Sequence, residues 1–190
     1  MDWQARYEAE DTPWDQGEAH PSLVDYLKEG RFSGRVLAPG CGLGYDVRAI
    51  STKENRVTGL DLAHAAMEKA REFSKAGAEE FIAGDLFDLP GELRGVFDWV
   101  MEHTCFCAIE PQMREDYVRA VGEALKAGGR VFAIFYLNPG SETQPPFGVT
   151  VQELDELFGK KFSVEREWIP ERTFEGREGR ELVRILRKKI

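Results

Sequence analysis

Three glycines at alternate positions, Gly40, Gly42 and Gly44, stand between an apolar run (Val36 to Ala38) and a helix-like stretch (Tyr45 to about Lys53), and Asp61 closes a second apolar run. Together they suit the holding of a nucleoside. Glycines at such a turn let the backbone approach a ligand where a Cβ would collide, and the helix that follows aims unpaired N–H groups at it. An acid about 20 residues beyond the turn is placed to take both ribose hydroxyls. The glycine spacing alone also suits a plain strand-to-helix turn, and Asp61 is what favours the ligand. A dinucleotide site keeps its third glycine where this chain has Tyr45, so the spacing fits a nucleoside without a pyrophosphate. S-adenosylmethionine is the commonest such ligand of this fold.

Other chemistry-bearing residues fall after further strand-like runs. Asp85, in Gly84-Asp85-Leu86, follows a short strand (Phe81 to Ala83) at the usual place for an adenine-binding side chain, and by itself equally suits a turn. His103 follows the run from Phe97 to Met101, and Tyr136 lies near the end of another, Arg130 to Leu137. Trp3 and Tyr7, four apart, share a helix face, and Trp14 follows in a turn-rich segment. These aromatics either plug the core or close as a lid with their ring faces on a cationic sulfonium. His20 opens a helix striped by Leu23, Val24 and Leu27, and is expected at the surface. Cys41, His103, Cys105 and Cys107 could bring four soft ligands together, but a structural zinc site prefers paired cysteines of wider spacing. Buried thiols, with no metal, fit better.

The elements that must position these residues alternate. Helices are expected over Leu62 to Lys75, Glu110 to Lys126 (closed by Gly128-Gly129) and Val151 to Phe158, and a Pro/Gly loop over Asn138 to Val149. The runs Phe162 to Ile169 and Glu181 to Arg187, with a short connection, suit an antiparallel pair. Arg187, Lys188 and Lys189 read as a solvated chain end. The expected fold is α/β, a seven-stranded, mainly parallel, Rossmann-like sheet of class I methyltransferase plan with an antiparallel C-terminal strand pair and helices on both faces. It forms one domain, with residues 1–34 outside the sheet and a core over 35–190. In such a sheet the ligand lies outside the carboxyl ends of the strands, where Gly40, Asp61, Asp85, His103 and Tyr136 all fall.

Composition excludes several classes. The 190 residues carry 25 Lys and Arg against 34 Asp and Glu, a net charge of −9, which disfavours nucleic acid. No apolar run is long enough for a bilayer and no basic-apolar leader is present, which points to no membrane and to the cytosol. Three cysteines make no disulfide framework.

Trp14-Asp15-Gln16-Gly17, Pro39-Gly40-Cys41-Gly42 with Asp46, Gly59-Leu60-Asp61, Phe106-Cys107-Ala108-Ile109 and Pro145-Pro146-Phe147 resemble the thiopurine S-methyltransferase superfamily, and within it the halide/thiol methyltransferases. The resemblance covers nearly the whole chain. It implies S-adenosylmethionine as methyl donor, with S-adenosylhomocysteine as product. It also implies Trp3, Tyr7 and Trp14 around the cofactor, Gly40 with Gly42 at its methionyl part, Asp61 with Leu62 at the ribose, and Asp85 with Leu86 at the adenine. Tyr7 stands where a Trp is usual, and His103 where the plant halide enzymes carry Tyr. His103 is therefore expected beside both cofactor and acceptor, and Tyr136 across the pocket. The expected acceptor is a small soft nucleophile (thiol, bisulfide, halide, thiocyanate or a selenium or tellurium compound), with thiol or bisulfide ahead of halide because imidazole can take a thiol proton. The rival readings are a non-catalytic S-adenosylmethionine binder and a methyltransferase with another small acceptor.

Overall fold

The computed structural model describes residues 1–30, 32–140 and 143–190. Part of the expected Pro/Gly loop, Ser141 and Glu142, lies outside them. Seven strands form one sheet: β1 (Arg35–Pro39), β2 (Arg56–Asp61), β3 (Ala78–Ala83), β4 (Phe97–His103), β5 (Leu125–Tyr136), β6 (Phe162–Trp168) and β7 (Glu181–Lys188). Their order is β3-β2-β1-β4-β5-β7-β6. The first five pair in parallel, and β7 runs antiparallel between β5 and β6. The mainly parallel sheet with an antiparallel C-terminal pair is thus as expected.

The α-helices among the described residues are α1 (Trp3–Glu8), α2 (Pro21–Leu27), α3 (Tyr45–Ile50), α4 (His64–Glu72), α5 (Arg114–Ala124) and α6 (Val151–Phe158). A parallel sheet is covered on both faces, so its strands are apolar at successive positions. In β1, Leu37 joins a core cluster with Phe97, Tyr117 and Phe135, while Val36 and Ala38 on the other face join Leu23, Ile50 and Phe132.

Boundaries depart from expectation where tertiary contacts outweigh local preference. α4 begins at His64, not Leu62, because Asp61 Oδ1 accepts the Ala63 N–H and holds the preceding residues extended. α5 ends at Ala124 rather than at the Gly128-Gly129 pair, since the buried Leu125 already pairs with Phe97 in the sheet. Gly128, at φ +70°, instead bends β5. α6 matches its expected limits and starts on a reciprocal Thr150/Glu153 cap.

Of the basic C-terminal residues, Arg187 and Lys189 are exposed as expected, and Lys188 is the correction. Lys188 Nζ donates to the carbonyls of Gly122 (2.6 Å) and Leu125 (2.8 Å), and Lys189 Nζ to that of Gly159 (2.6 Å). Arg187 lies 3.3 Å from Glu165. The two lysines fasten the end of β7 to the ends of α5 and α6, where helix carbonyls lack intrahelical partners. Lys188→Met should therefore destabilise the fold by about 1–2 kcal/mol, measured as a lower urea midpoint with unchanged slope; an unchanged midpoint would return Lys188 to the solvated class.

Candidate active site

The strand order reverses between β1 and β4, and the crevice outside the carboxyl ends of the strands at such a point is the ligand site of open α/β sheets. A cavity of about 410 Å³ opens there, within the range of small-ligand sites. The residues expected from the sequence at the cofactor and the acceptor line it: Trp3, Tyr7 and Trp14 from the N-terminal segment; Gly40, Gly42, Asp61 and Leu62 from the first βαβ unit; Asp85, Leu86, His103 and Tyr136 from beyond it.

One end is built on the glycine turn. Asp61 is buried at the tip of β2, with Oδ2 accepting the Gly42 N–H (2.9 Å) and Oδ1 the Ala63 N–H (2.9 Å). Burial raises its carboxyl above the usual range, and those N–H groups oppose the rise. A carboxylate so held keeps lone pairs for a ligand hydroxyl. Asp85 Oδ1 accepts the Phe87 N–H (2.8 Å), so Asp85 is both a turn residue and part of the cavity wall. The Trp14 Nε1–H donates to the Tyr7 hydroxyl (3.0 Å), and Trp3 meets Trp14 edge to face at 5.2 Å between centroids. A Cβ on Gly42 (φ +51°) would stand 2.6 Å from that hydroxyl, so the turn and the aromatic segment fit only with glycine there. The segment is also tied to α4, since Gln4 Oε1 accepts the Ala65 N–H (3.1 Å) and Lys69 Nζ donates to the Tyr7 carbonyl (3.1 Å).

The other end is walled by His103, Tyr136, Pro145, Pro146, Phe174 and Arg177. Arg177 packs over the Tyr136 ring at 5.1 Å and the Phe174 ring at 5.5 Å, with Nη1 3.3 Å from Glu181 Oε1. His103 Nδ1 lies 2.7 Å from Asp46 Oδ2, while its Nε2 is buried without a hydrogen-bond partner. Burial works to raise the Asp46 carboxyl, but the His103 ring and the His20 N–H bring it below the usual range.

His20 corrects the sequence reading, for it is wholly buried rather than at the surface. Its Nδ1 accepts the Ser22 N–H (3.1 Å) as the cap of α2, and its Nε2 stands 2.9 Å from Glu181 Oε2. Glu181 also accepts the Thr173 hydroxyl. Burial pushes the Glu181 carboxyl up, yet His20 and Thr173 outweigh it and hold the group at about 2.

Ligand atoms of His20, His103 and Glu181 lie within 4.8 Å of one another, and among the described residues this close group contains no cysteine. A metal needs a bare imidazole nitrogen. His20 offers none while Nδ1 caps α2, because its proton then sits on Nε2. His20 and Glu181 form a hydrogen-bonded pair, and His103 is joined to them through Asp46. Cys41, Cys105 and Cys107 line the cavity instead, and burial raises all three thiols, Cys107 to about 12.

Sheet order and cavity together define a class I methyltransferase fold with its cofactor crevice. The profile of the thiopurine S-methyltransferase family matches residues 1–188, and the chain belongs to that family of S-adenosylmethionine-dependent methyltransferases. Thiocyanate methyltransferase 1 of Arabidopsis thaliana is 37% identical over 161 residues, covering 82% of this chain and 70% of that one. A thiopurine S-methyltransferase of Acinetobacter baylyi is 26% identical over 183 residues, covering 85% of this chain and 84% of its own. The 1,6-didemethyltoxoflavin-N1-methyltransferase of Burkholderia thailandensis, solved with 1,6-didemethyltoxoflavin and S-adenosylhomocysteine, superposes with a TM-score of 0.76 at 21% identity, over 100% of this chain and 86% of its own. That likeness is one of fold.

Sequence reasoning did not find Phe174, Arg177, Glu181 or Glu102. The first two lie in residues 170–180, which read only as a connection between strands. Glu102 sits one residue before His103 with Oε1 accepting the Phe106 N–H (2.8 Å) and Oε2 the Tyr117 hydroxyl. Its burial, stronger than the hydrogen bonds that oppose it, raises the carboxyl from 4.5 to about 7. The folded protein therefore holds this proton more tightly than the unfolded chain. The stability it brings is full below about pH 4.5 and is lost as pH rises through about 7. Glu102→Gln, which keeps both partners, should remove that slope and leave the protein more stable above pH 7 by on the order of 1–3 kcal/mol. Denaturant midpoints from pH 5 to 8.5 measure it, and parallel curves for the two proteins would reject it.

Proposed function

We propose that the protein moves a methyl group from S-adenosylmethionine to a small anionic sulfur nucleophile (thiolate, bisulfide or thiocyanate) by in-line displacement. The observation that carries this reading is one cavity with chemically different ends: buried acid and glycine turn at one, a cation stacked on aromatic rings at the other. Bound S-adenosylmethionine supplies a methyl group activated by its positive sulfonium. Asp61 would accept the ribose hydroxyls, with Leu62 beside them, and Asp85 with Leu86 would meet the adenine. Gly40 and Gly42 give the methionyl part room. The faces of Trp3, Tyr7 and Trp14 suit a cation, and residues 1–34 act as the lid of a domain whose core is 35–190.

Arg177 supplies positive charge at the acceptor end, and the Tyr136 hydroxyl, without a hydrogen-bond partner among the described residues, is free to donate to an anion. Apolar walls strip water from a polarizable nucleophile before attack. His103 borders this end, but Nδ1 is committed to Asp46 and Nε2 is enclosed. In this arrangement the ring shapes the wall and orients the acceptor, and proton removal is left to solution. A soft anion needs no base once bound. The homologous thiocyanate methyltransferase, by its name, acts on such an anion. The net charge of −9 favours small acceptors over nucleic acid.

Asp61→Ala should weaken S-adenosylhomocysteine binding by on the order of 2–4 kcal/mol in a protein that still melts cooperatively; calorimetry showing native affinity would remove Asp61 from the cofactor site. The function itself is tested with labelled S-adenosylmethionine against thiocyanate, bisulfide, thiols, halides and amines. Thiocyanate turnover should be flat between pH 7 and 9, and thiol turnover should rise with the thiol's own ionisation. A thiol profile that levels off near neutrality would make His103 a base, amine methylation without any sulfur product would overturn the acceptor class, and binding without turnover on any acceptor would overturn the enzyme reading.

A further inference from the structure

His20 does not line the cavity, yet its contacts reach both residues that set the charge of the acceptor end. Its backbone N–H donates to Asp46 Oδ1 (2.9 Å), the same carboxylate that holds His103. Its Nε2 faces Glu181, the carboxylate that holds Arg177. Its ring meets the edge of His103 at 4.8 Å and of Phe174 at 5.0 Å between centroids. The Ser22 N–H at Nδ1 fixes the tautomer, because only an unprotonated nitrogen accepts a hydrogen bond, so the proton sits on Nε2 and points at Glu181.

We infer that His20 is a positioning residue: as a neutral ring locked in the Nε2–H tautomer, it fixes the His103 wall through Asp46 and the Arg177 cation through Glu181. A second proton has to enter at Nδ1. There it would oppose the Ser22 N–H, lift the start of α2 and disturb the His20 N–H on Asp46. The groups around the ring are Ser22 from α2, Asp46 from α3, His103 from β4, Thr173, Phe174 and Arg177 from the β6–β7 connection, and Glu181 from β7. Two carboxylates in that set favour a charged ring, whereas burial and His103 oppose it; burial is the strongest influence, and the group lies below its usual range. A neutral His20 at physiological pH follows, with loss of order on acidification.

The inference rests on the methyl-transfer reading only for its activity readout. The full chain, labelled with 15N at histidine, reports the tautomer by NMR. The expected result is a His20 ring protonated at Nε2 alone at pH 7.5, which takes its second proton only at a lower pH than an exposed histidine does. A ring protonated at Nδ1, or charged at pH 7.5, overturns the proposal. His20→Asn keeps an acceptor for the Ser22 N–H but cannot titrate or reach Glu181. It should bind S-adenosylhomocysteine within about threefold of wild type, lose about 10- to 100-fold in kcat/KM for thiocyanate as the acceptor wall loosens, and lose the acid-side fall of activity that belongs to His20. Unchanged kcat/KM with an unchanged acid limb overturns the positioning role. If wild type turns over no acceptor, the methyl-transfer reading falls while the NMR result still decides the state of His20; if His20→Asn does not fold, the wild-type tautomer and its acid titration decide it.

Discussion

Asp46 joins the two ends of the site through one carboxylate. It stands in the first turn of α3, immediately after the glycines, so its position is fixed by the same backbone that shapes the cofactor end. One oxygen takes the His20 N–H and the other faces His103. A carboxylate this enclosed is stable only when its oxygens are partnered. Its two partners come from chain segments 83 residues apart (His20 and His103). The start of α2, the glycine turn and the end of β4 are thereby held in one arrangement.

The same economy of charge extends outward. The His20 Nε2–H faces Glu181, and Glu181 holds Arg177. With His20 neutral, the buried set contains two carboxylates and one guanidinium. Under the proposed reading an incoming anion would meet the Arg177 guanidinium, since the two carboxylates are engaged by their own donors.

The sheet was legible because its signals are local. Apolar runs and the Gly40-Gly42-Gly44 turn each depend on neighbours in sequence, and each appeared where expected. Strand-end residues such as Asp61, Asp85 and His103 were legible for the same reason, since a strand's end predicts the side of the sheet on which its last side chain lies. His20 was not. A histidine before Pro21 looks like an exposed helix start, and its ring partner Glu181 lies 161 residues away in the sequence. Glu181 and Arg177 were hidden likewise, because their meaning lies in partners that the sequence does not place beside them. Lys188 looked like a loose tail because its acceptors are backbone carbonyls, which every residue has.

The division between sheet and loops also accounts for the chemistry. The Burkholderia enzyme named for methylation at a nitrogen shares this fold at a TM-score of 0.76, so the fold alone does not choose the acceptor atom. The glycine turn, Asp61 and Asp85, to which the proposed function assigns the donor, all belong to the parallel half. The acceptor end draws Tyr136 from the last residue of β5, Pro145 and Pro146 from the loop beyond it, and Phe174 and Arg177 from the β6–β7 connection. Those connections are free to vary without disturbing strand pairing. What ties them to the donor half here is the buried path from Asp46 through His20 to Glu181. The network thus lets a variable acceptor wall stand at a fixed position relative to the methyl group, and alignment is most of what an in-line displacement asks of a protein.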